Sequence, residues 1–162
     1  MNKPSACPDV RVTLPVKKCD MPELSFKILR TVEEMMPYYG IVIQMPYKFD
    51  EATYRNYLEQ MIPNGYEQMI ALEADSCVAL AGFWVGVKLY CGRYVELDNV
   101  VVAAGHQGRG IGKQLCLEIE AEARRRACTT ALLDAYVENF AAHRFYFREG
   151  YIVHGYHFLK RL

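Results

Sequence analysis

The chain has 162 residues, of which 52% are hydrophobic, and its 19 basic and 19 acidic side chains give a formal net charge of zero. This length suits one domain with a sizeable core. The balanced charge offers no basic stripe for nucleic acid, and no apolar run is long enough to span a membrane, so we expect neither kind of partner.

The N-terminal region is irregular. Prolines at four positions interrupt residues 1–24, which we interpret as an extension in front of a single domain at 25–162, with one candidate edge strand at 10–14. The first core strand is predicted over 26–30, where apolar and polar side chains alternate.

Two helices are predicted next. Thr31 and Glu34 form a capping-box pattern, so a helix should begin there, and Pro37 requires it to start late or to kink. Asp50 is a suitable cap for a second helix that runs to about Ile62 and ends at 63–65, where proline, asparagine and glycine follow one another.

The remaining elements begin with a β-meander and then alternate helix with strand. They are strands over 68–73, 77–89 and 94–103, a helix over 111–126, a strand over 131–136, a helix over 139–149 and a last strand over 151–159. The order β-α-α-β-β-β-α-β-α-β predicts an α/β fold with a mixed, mostly antiparallel central sheet and flanking helices.

The six cysteines contain no C-x-x-C pair, and Cys116 falls on the apolar stripe of the helix predicted over 111–126. No secretory signal is recognisable at the start of the chain. We therefore expect reduced, mostly packed thiols in a cytoplasmic protein. The four histidines lack ligand spacing, so no metal site is predicted.

A glycine-rich loop joins the strand at 94–103 to the helix at 111–126. Gly105, Gly108 and Gly110 leave its backbone free to lie close to a ligand, and the helix that follows offers unpaired N–H groups. Such a junction favours a phosphate or pyrophosphate. The spacing fits neither a P-loop nor a dinucleotide fingerprint.

Two motifs identify the family that the chain resembles. The loop Gln107-Gly-Arg-Gly-Ile-Gly112 resembles the Q/R-x-x-G-x-G/A loop of the GNAT superfamily of N-acetyltransferases. The segment Asn139–Tyr151 is similar to that family's N-x-x-A-x-x-F-Y-x-x-x-G-F/Y motif. The resemblance runs from about Phe26 to Leu162, and it departs at Ala104 and Gln107, where proline and arginine are commoner.

The resemblance implies a GNAT-type fold and acetyl-CoA as the acyl donor, with the loop's backbone amides holding the pyrophosphate. It also implies that the strand at 99–103 lies beside the pantetheine arm, although its valines would be ordinary sheet core in any case. The candidate cofactor-binding residues are Val100, Val101, Val102, Gln107, Gly108, Arg109, Gly110, Ile111, Gly112, Lys113 and Asn139. Asn139 is equally a candidate helix cap.

Three side chains are candidates for proton transfer. Glu96 and Asp98 alternate with Leu97, so both carboxylates should face one side of the strand, and one of them could deprotonate an amine. Glu96 stands where the resemblance places a glutamate base and ranks first; the competing interpretation is a solvated face paired with Lys88 or Arg93. Tyr146 is the candidate acid for the leaving thiolate, against a role as a packed aromatic.

The predicted function is transfer of an acetyl group to an amine in a ternary complex. The acceptor, a small molecule or a protein or peptide amine, would be shaped by the tyrosine-rich segment 36–66 and the hairpin 88–94. A homodimer and an acyl group other than acetyl remain open. The alternative is an acyl-CoA-binding sensor on the same fold without turnover.

Overall fold

Five strands form one sheet, in the order in which they occur along the chain. The computed structural model describes residues 22–162, so the predicted edge strand at 10–14 and most of the predicted extension lie outside the described residues. Four strands are antiparallel neighbours, and the fifth is parallel to the fourth. The strands are β1 Ser25–Leu29, β2 Tyr66–Glu73, β3 Ser76–Lys88, β4 Gly92–Val102 and β5 Thr130–Leu133.

Three helices cover one face of the sheet: α1 Val32–Met35, α2 Tyr39–Val42 and α3 Glu51–Met61. The kink predicted at Pro37 is confirmed, because a 3₁₀ turn separates α1 from α2 there. Both predicted caps are present. The Thr31 hydroxyl accepts from the backbone N–H of Glu34 at 3.2 Å, and the Asp50 carboxylate accepts from that of Thr53 at 2.8 Å.

Two helices lie on the other face: α4 Ile111–Arg125 and α5 Phe140–Arg148. The four-residue recurrence predicted for α4 is confirmed, since its stripe is at most 4% exposed against β2, β3 and β4; the stripe consists of Ile111, Leu115, Cys116, Ile119 and Ala123. Within 22–162, no helix is both long and apolar enough to cross a membrane.

The last predicted strand, over 151–159, is wrong. That segment has no regular secondary structure, and side chains such as Ile152, Tyr156 and Phe158 are largely exposed. Alternating apolar residues form a strand only where a partner strand is available. The neighbour here would be β5, which is four residues long, ends at Leu133 rather than at 136, and pairs only with β4 within the described chain.

One irregularity shapes the middle of the sheet. Leu80 lies opposite Val101 and Gly82 lies opposite Asp98, so two residues of β4 stand opposite the single residue between them on β3. One of the two is Asn99, which has a left-handed backbone with φ +55°. This is a β-bulge, a feature that bends a strand and interrupts its ladder.

Gly82 shows how tightly β3 is packed beside this bulge. A Cβ there would collide with the hydroxyl and ring of Tyr66. We expect Gly82→Ala to lower the free energy of unfolding by about 1–3 kcal/mol, which is the usual cost of overpacking a core. Urea denaturation of the variant and of wild type would measure this difference. Gly40→Ala is the control, because its Cβ would meet open space. Equal stability of the two variants would contradict the packing described here.

Candidate active site

The glycine loop presents free backbone donors to one point in front of α4. Gly105, Gly108 and Gly110 have φ values of +84°, +76° and +80°, as their glycine character predicts. No backbone N–H of residues 107–113 donates to another residue of 22–162, and Gly110 gives α4 no side-chain cap. These unpaired N–H groups and the helix dipole together suit a phosphate.

The charged side chains of the loop are already paired. The Arg109 guanidinium binds the Glu73 carboxylate through two nitrogens, and the Lys113 ammonium lies 3.1 Å from Glu149. Gln107 turns back to the Val102 carbonyl at 3.4 Å. An anion in front of α4 would therefore be held mainly by main-chain N–H groups.

Two further candidate residues of the glycine loop, Ile111 and Gly112, form the start of α4. The Ile111 side chain is buried in the core, so only its main chain can meet a ligand. At Gly112 a Cβ would meet Val102 at 3.4 Å and Phe145 at 3.8 Å, which is ordinary van der Waals contact, so the start of α4 lies close to the end of β4.

A cleft opens where β4 and β5 separate. The two strands pair from Tyr94 to Leu97 on β4 and no further, so among residues 22–162 the β4 backbone beyond Leu97 has no partner on the β5 side. A cavity of about 290 Å³ lies in this gap. We call it the acidic cleft; it is lined by Trp84, Glu96, Leu97, Asp98, Asn99, Val100, Asp134, Tyr146 and His157.

The two candidate bases differ in their surroundings. The Glu96 carboxylate lies 2.7 Å from the Lys88 ammonium, which is one of the two ion pairs considered from the sequence. Asp98 accepts a long hydrogen bond of 3.4 Å from the Trp84 indole. Burial raises the pKa of Asp98 above its ordinary value, and the negative charge of Glu96 adds to the rise.

Tyr146 faces the same cleft from α5. Its ring packs edge-on against Phe145 and Tyr151, and burial raises the pKa of its hydroxyl, so the phenol stays protonated at neutral pH. Asn139 caps α5, because its side chain accepts from the Ala142 N–H at 3.1 Å. It lies outside the lining of the acidic cleft, as does Val101, whose side chain is buried on the other face.

Several contacts of the site were not predicted from the sequence, although Tyr47 and Gln44 lie in the segment 36–66 that was expected to shape the acceptor site. Tyr47 donates a hydrogen bond to the Asn99 side chain, and the backbone N–H of Ala104 donates to the Gln44 side chain at 2.9 Å. The imidazole of His157 pairs with Asp134 at 2.7 Å at the edge of the cleft. These contacts join positions far apart in the chain, so no local sequence pattern predicts them.

Comparison with known proteins now adds to this geometry. Residues 29–151 match the model of the Acetyltransferase (GNAT) family. The chain belongs to the GNAT family. It is therefore an acyltransferase, as the two sequence motifs predicted.

Individual GNAT proteins resemble the chain over most of its length. An aminoalkylphosphonate N-acetyltransferase of Salmonella typhimurium is 25% identical over 135 residues, which cover 82% of this chain and 88% of that protein. The aminoglycoside N-acetyltransferase AAC(6')-Iy, solved in complex with CoA, superposes with a TM-score of 0.74 at 14% identity, covering 86% of this chain and 95% of that one.

A third relative supports the same GNAT fold. A ribosomal-protein-alanine N-acetyltransferase from Brucella melitensis biovar Abortus 2308 has a TM-score of 0.70 at 19% identity, covering 86% of this chain and 99% of that one. Proteins with such different acceptors in their names share this architecture. Membership of the family therefore establishes the class of reaction, and the acceptor has to be inferred from the residues of the site.

Proposed function

We propose that this GNAT protein moves an acetyl group from acetyl-CoA directly to a small amine while both are bound. The observation that carries the proposal is the acidic cleft: the partly buried Asp98 carboxylate and the Tyr146 side chain line one gap, directly beyond the last paired residues of β4 and β5. General acid–base transfer to an amine needs these two groups on either side of the reacting atoms.

The residues of the glycine loop and of β4 suit acetyl-CoA as the acyl donor. Acetyl-CoA supplies the activated thioester. The free N–H groups of 107–113 would hold its pyrophosphate, and the edge of β4 at Val100 to Val102, which pairs with β3 but not with β5 within residues 22–162, would bind its pantetheine arm. At the bulge, a backbone N–H beside Asn99 would polarise the thioester carbonyl.

Residues of the acidic cleft would carry out both proton transfers of the reaction. Asp98 takes the proton of the attacking amine as the new C–N bond forms; its raised pKa makes it a better base than an ordinary aspartate. As the C–S bond breaks, Tyr146 gives its proton to the departing thiolate and regains one from solvent. Glu96, held by Lys88, contributes negative charge.

The charges of the acidic cleft limit the acceptor. Glu96, Asp98 and Asp134 line it; Lys88 pairs with Glu96 from outside the lining, His157 pairs with Asp134, and Asp98 has no basic partner within residues 22–162. These carboxylates attract an ammonium group and repel an anion. The relative from Salmonella typhimurium is named for aminoalkylphosphonates, whose phosphonate would meet this repulsion here. We therefore propose an amine without an acidic group.

The direct test is release of free thiol from acetyl-CoA in the presence of a panel of amines. Tyr146→Phe keeps the ring and removes the proton donor. It should lower kcat and kcat/KM by similar factors, on the order of 10²-fold, which is the lower end of the usual range because a phenol of raised pKa donates reluctantly.

The control for Tyr146→Phe is Tyr151→Phe. Tyr151 lies in the same aromatic cluster, but its hydroxyl donates to Glu120 at 3.0 Å, so its loss should reduce stability without slowing turnover. Equal turnover in wild type and Tyr146→Phe would show that Tyr146 is not the general acid. Absence of thiol release with every amine would favour the sensor instead.

A further inference from the structure

A second cavity, of about 360 Å³, lies between α2, α3 and the face of the sheet opposite α4. Aromatic rings dominate its lining: Tyr47, Phe49, Tyr54, Tyr57 and Tyr66. We call it the tyrosine pocket. Most of its other lining side chains are aliphatic, such as Met61 of α3.

The tyrosine pocket lies on the same face of the sheet as the Asp98 side chain. Leu97 packs on the α4 side, so Asp98, which follows it on β4, points to the opposite side, where α2 and α3 lie. Gly82 stands opposite Asp98 on β3, and the ring of Tyr66 occupies the space above Gly82. Tyr66, which lines the pocket, therefore lies beside Asp98.

Asn99 connects the tyrosine pocket to the acidic cleft, because it lines both. Burial raises the pKa of the Tyr47 and Tyr66 hydroxyls, and the negative charge of Asp98 adds to both increases, so this charge acts at the near end of the pocket. An acceptor whose amine lies at Asp98 would therefore extend its body into the tyrosine pocket.

The part of the pocket that a ligand can reach is its rim, formed by Tyr47, Phe49 and Tyr57. Tyr47 and Tyr57 are 39% and 48% exposed, and the Phe49 ring lies 6.2 Å from that of Tyr47 and 6.1 Å from that of Tyr57. Such rings present faces and edges on which a hydrophobic group packs well.

The polar groups at the floor of the pocket offer nothing to a ligand. The amide nitrogen of Gln68 donates to the hydroxyls of Tyr54 at 2.8 Å and Tyr66 at 3.1 Å, and all three side chains are at most 5% exposed. The Gln68 carbonyl oxygen has no partner within residues 22–162, but its accessible surface is below 1 Å². A polar body would therefore lose its hydrogen bonds to water without replacing them.

The charges of the tyrosine pocket suit a neutral body. Lys48 is the one charged side chain that residues 22–162 contribute to the lining, and its ammonium is bonded to the carbonyls of Ile43 and Met45. No carboxylate of these residues lines the pocket. A second ammonium on the acceptor would be desolvated there without a counter-charge.

We propose, resting on the function above, that the tyrosine pocket binds the body of the acceptor and that the acceptor is a monoamine with an uncharged, apolar body. Its amine lies beside Asp98, and its ring or alkyl chain packs on the rim. Phenethylamine and hexylamine are probes of this class. Ethylamine lacks the apolar body, and 1,6-diaminohexane is hexylamine with a second ammonium at the far end.

The kinetic test compares these four amines as acceptors for wild type. The kcat/KM for phenethylamine should exceed that for ethylamine at least about tenfold, because only phenethylamine buries an apolar group on the rim. Hexylamine should exceed 1,6-diaminohexane by about tenfold, after allowance for the two equivalent amines of the diamine. A diamine that is acetylated as well as hexylamine, or better, would contradict the inference.

Two variants locate this selectivity in the tyrosine pocket. Met61→Glu places a carboxylate in the lining, so it should lower kcat/KM for hexylamine and raise it for 1,6-diaminohexane, reversing their order. Gln60→Glu is the matched control, because it adds the same charge one residue earlier on α3, outside the lining, and should leave the order unchanged. Tyr57→Ala removes one exposed ring of the rim and should lower kcat/KM severalfold for phenethylamine but not for ethylamine. Should Met61→Glu fail to fold, Tyr57→Ala decides.

A binding test without chemistry separates this inference from the proposed function. The probe is 2-phenylethanol, which has the apolar body of phenethylamine and a hydroxyl in place of the amine. Saturation-transfer NMR should detect its binding to wild type, and Tyr57→Ala should weaken the signal. If 2-phenylethanol binds in this way but no amine is acetylated, the proposed function fails and the pocket assignment stands. If amines are acetylated but 2-phenylethanol does not bind, or binds equally to Tyr57→Ala, this inference is overturned.

Discussion

Gly110→Asp should abolish coenzyme A binding and acetyl transfer together. Gly110 has φ +80° and lies among the free N–H groups in front of α4, so an aspartate there adds strain and a negative charge where the pyrophosphate would sit. Wild type should melt at a higher temperature with coenzyme A than without it, because the ligand binds only the folded state. The variant should show no such rise.

Gly65→Asp is the matched control for this substitution. Gly65 has φ +95° and open space around it, and it lies at the end of a 3₁₀ turn far along the chain from the glycine loop. The control adds the same charge and a similar backbone strain, yet it should keep the response to coenzyme A. A folded Gly110→Asp protein that binds coenzyme A as wild type does would refute the pyrophosphate site.

Asp98→Asn should be the most damaging change to the chemistry itself. We expect kcat/KM to fall on the order of 10³-fold at neutral pH, with coenzyme A binding unchanged. Activity should recover in part as the pH rises toward the amine's own pKa of about 10, where a base is no longer needed. Thiol release measured over a range of pH checks both statements.

Glu96→Gln is the companion variant, because Glu96 faces the same cleft and is paired with Lys88. It should lose only severalfold in kcat/KM if Asp98 is the base. In wild type, burial raises the pKa of Asp98, so activity should be lost on acidification at a higher pH than an ordinary aspartate would allow. A larger loss for Glu96→Gln than for Asp98→Asn would return the role of base to Glu96.

Local sequence signals predicted most of the framework. Thr31, Asp50 and Asn139 cap their helices as expected, because a cap depends on residues only three positions away. The left-handed glycines of the loop also followed from residue type alone. The family resemblance then placed Glu96 and Tyr146, strand alternation added Asp98, and the structure gathers all three at one cleft.

The features that escaped prediction depend on distant partners. The strand expected over 151–159 had a suitable pattern but no partner strand, which only the complete sheet reveals. The tyrosines of 36–66 were expected to shape the acceptor site, and four of them line one cavity; the unpaired oxygen of Gln68 beside that cavity becomes visible only when its surroundings are known. The ion pair between Lys88 and Glu96 was one of two pairs considered from the sequence. That this pair would make Asp98 the preferred base over Glu96 was not predicted.

Asn99 is a residue that the hydrophobic core does not require. Val95 and Leu97 face α4 before it, and Val100 and Val102 pack on the same face after it. Strict alternation without Asn99 would leave all four valine and leucine side chains where they are and would restore a regular ladder. The packing of the core therefore does not explain this extra residue, and we infer that the bulge serves the acidic cleft, where it interrupts the ladder beside Asp98.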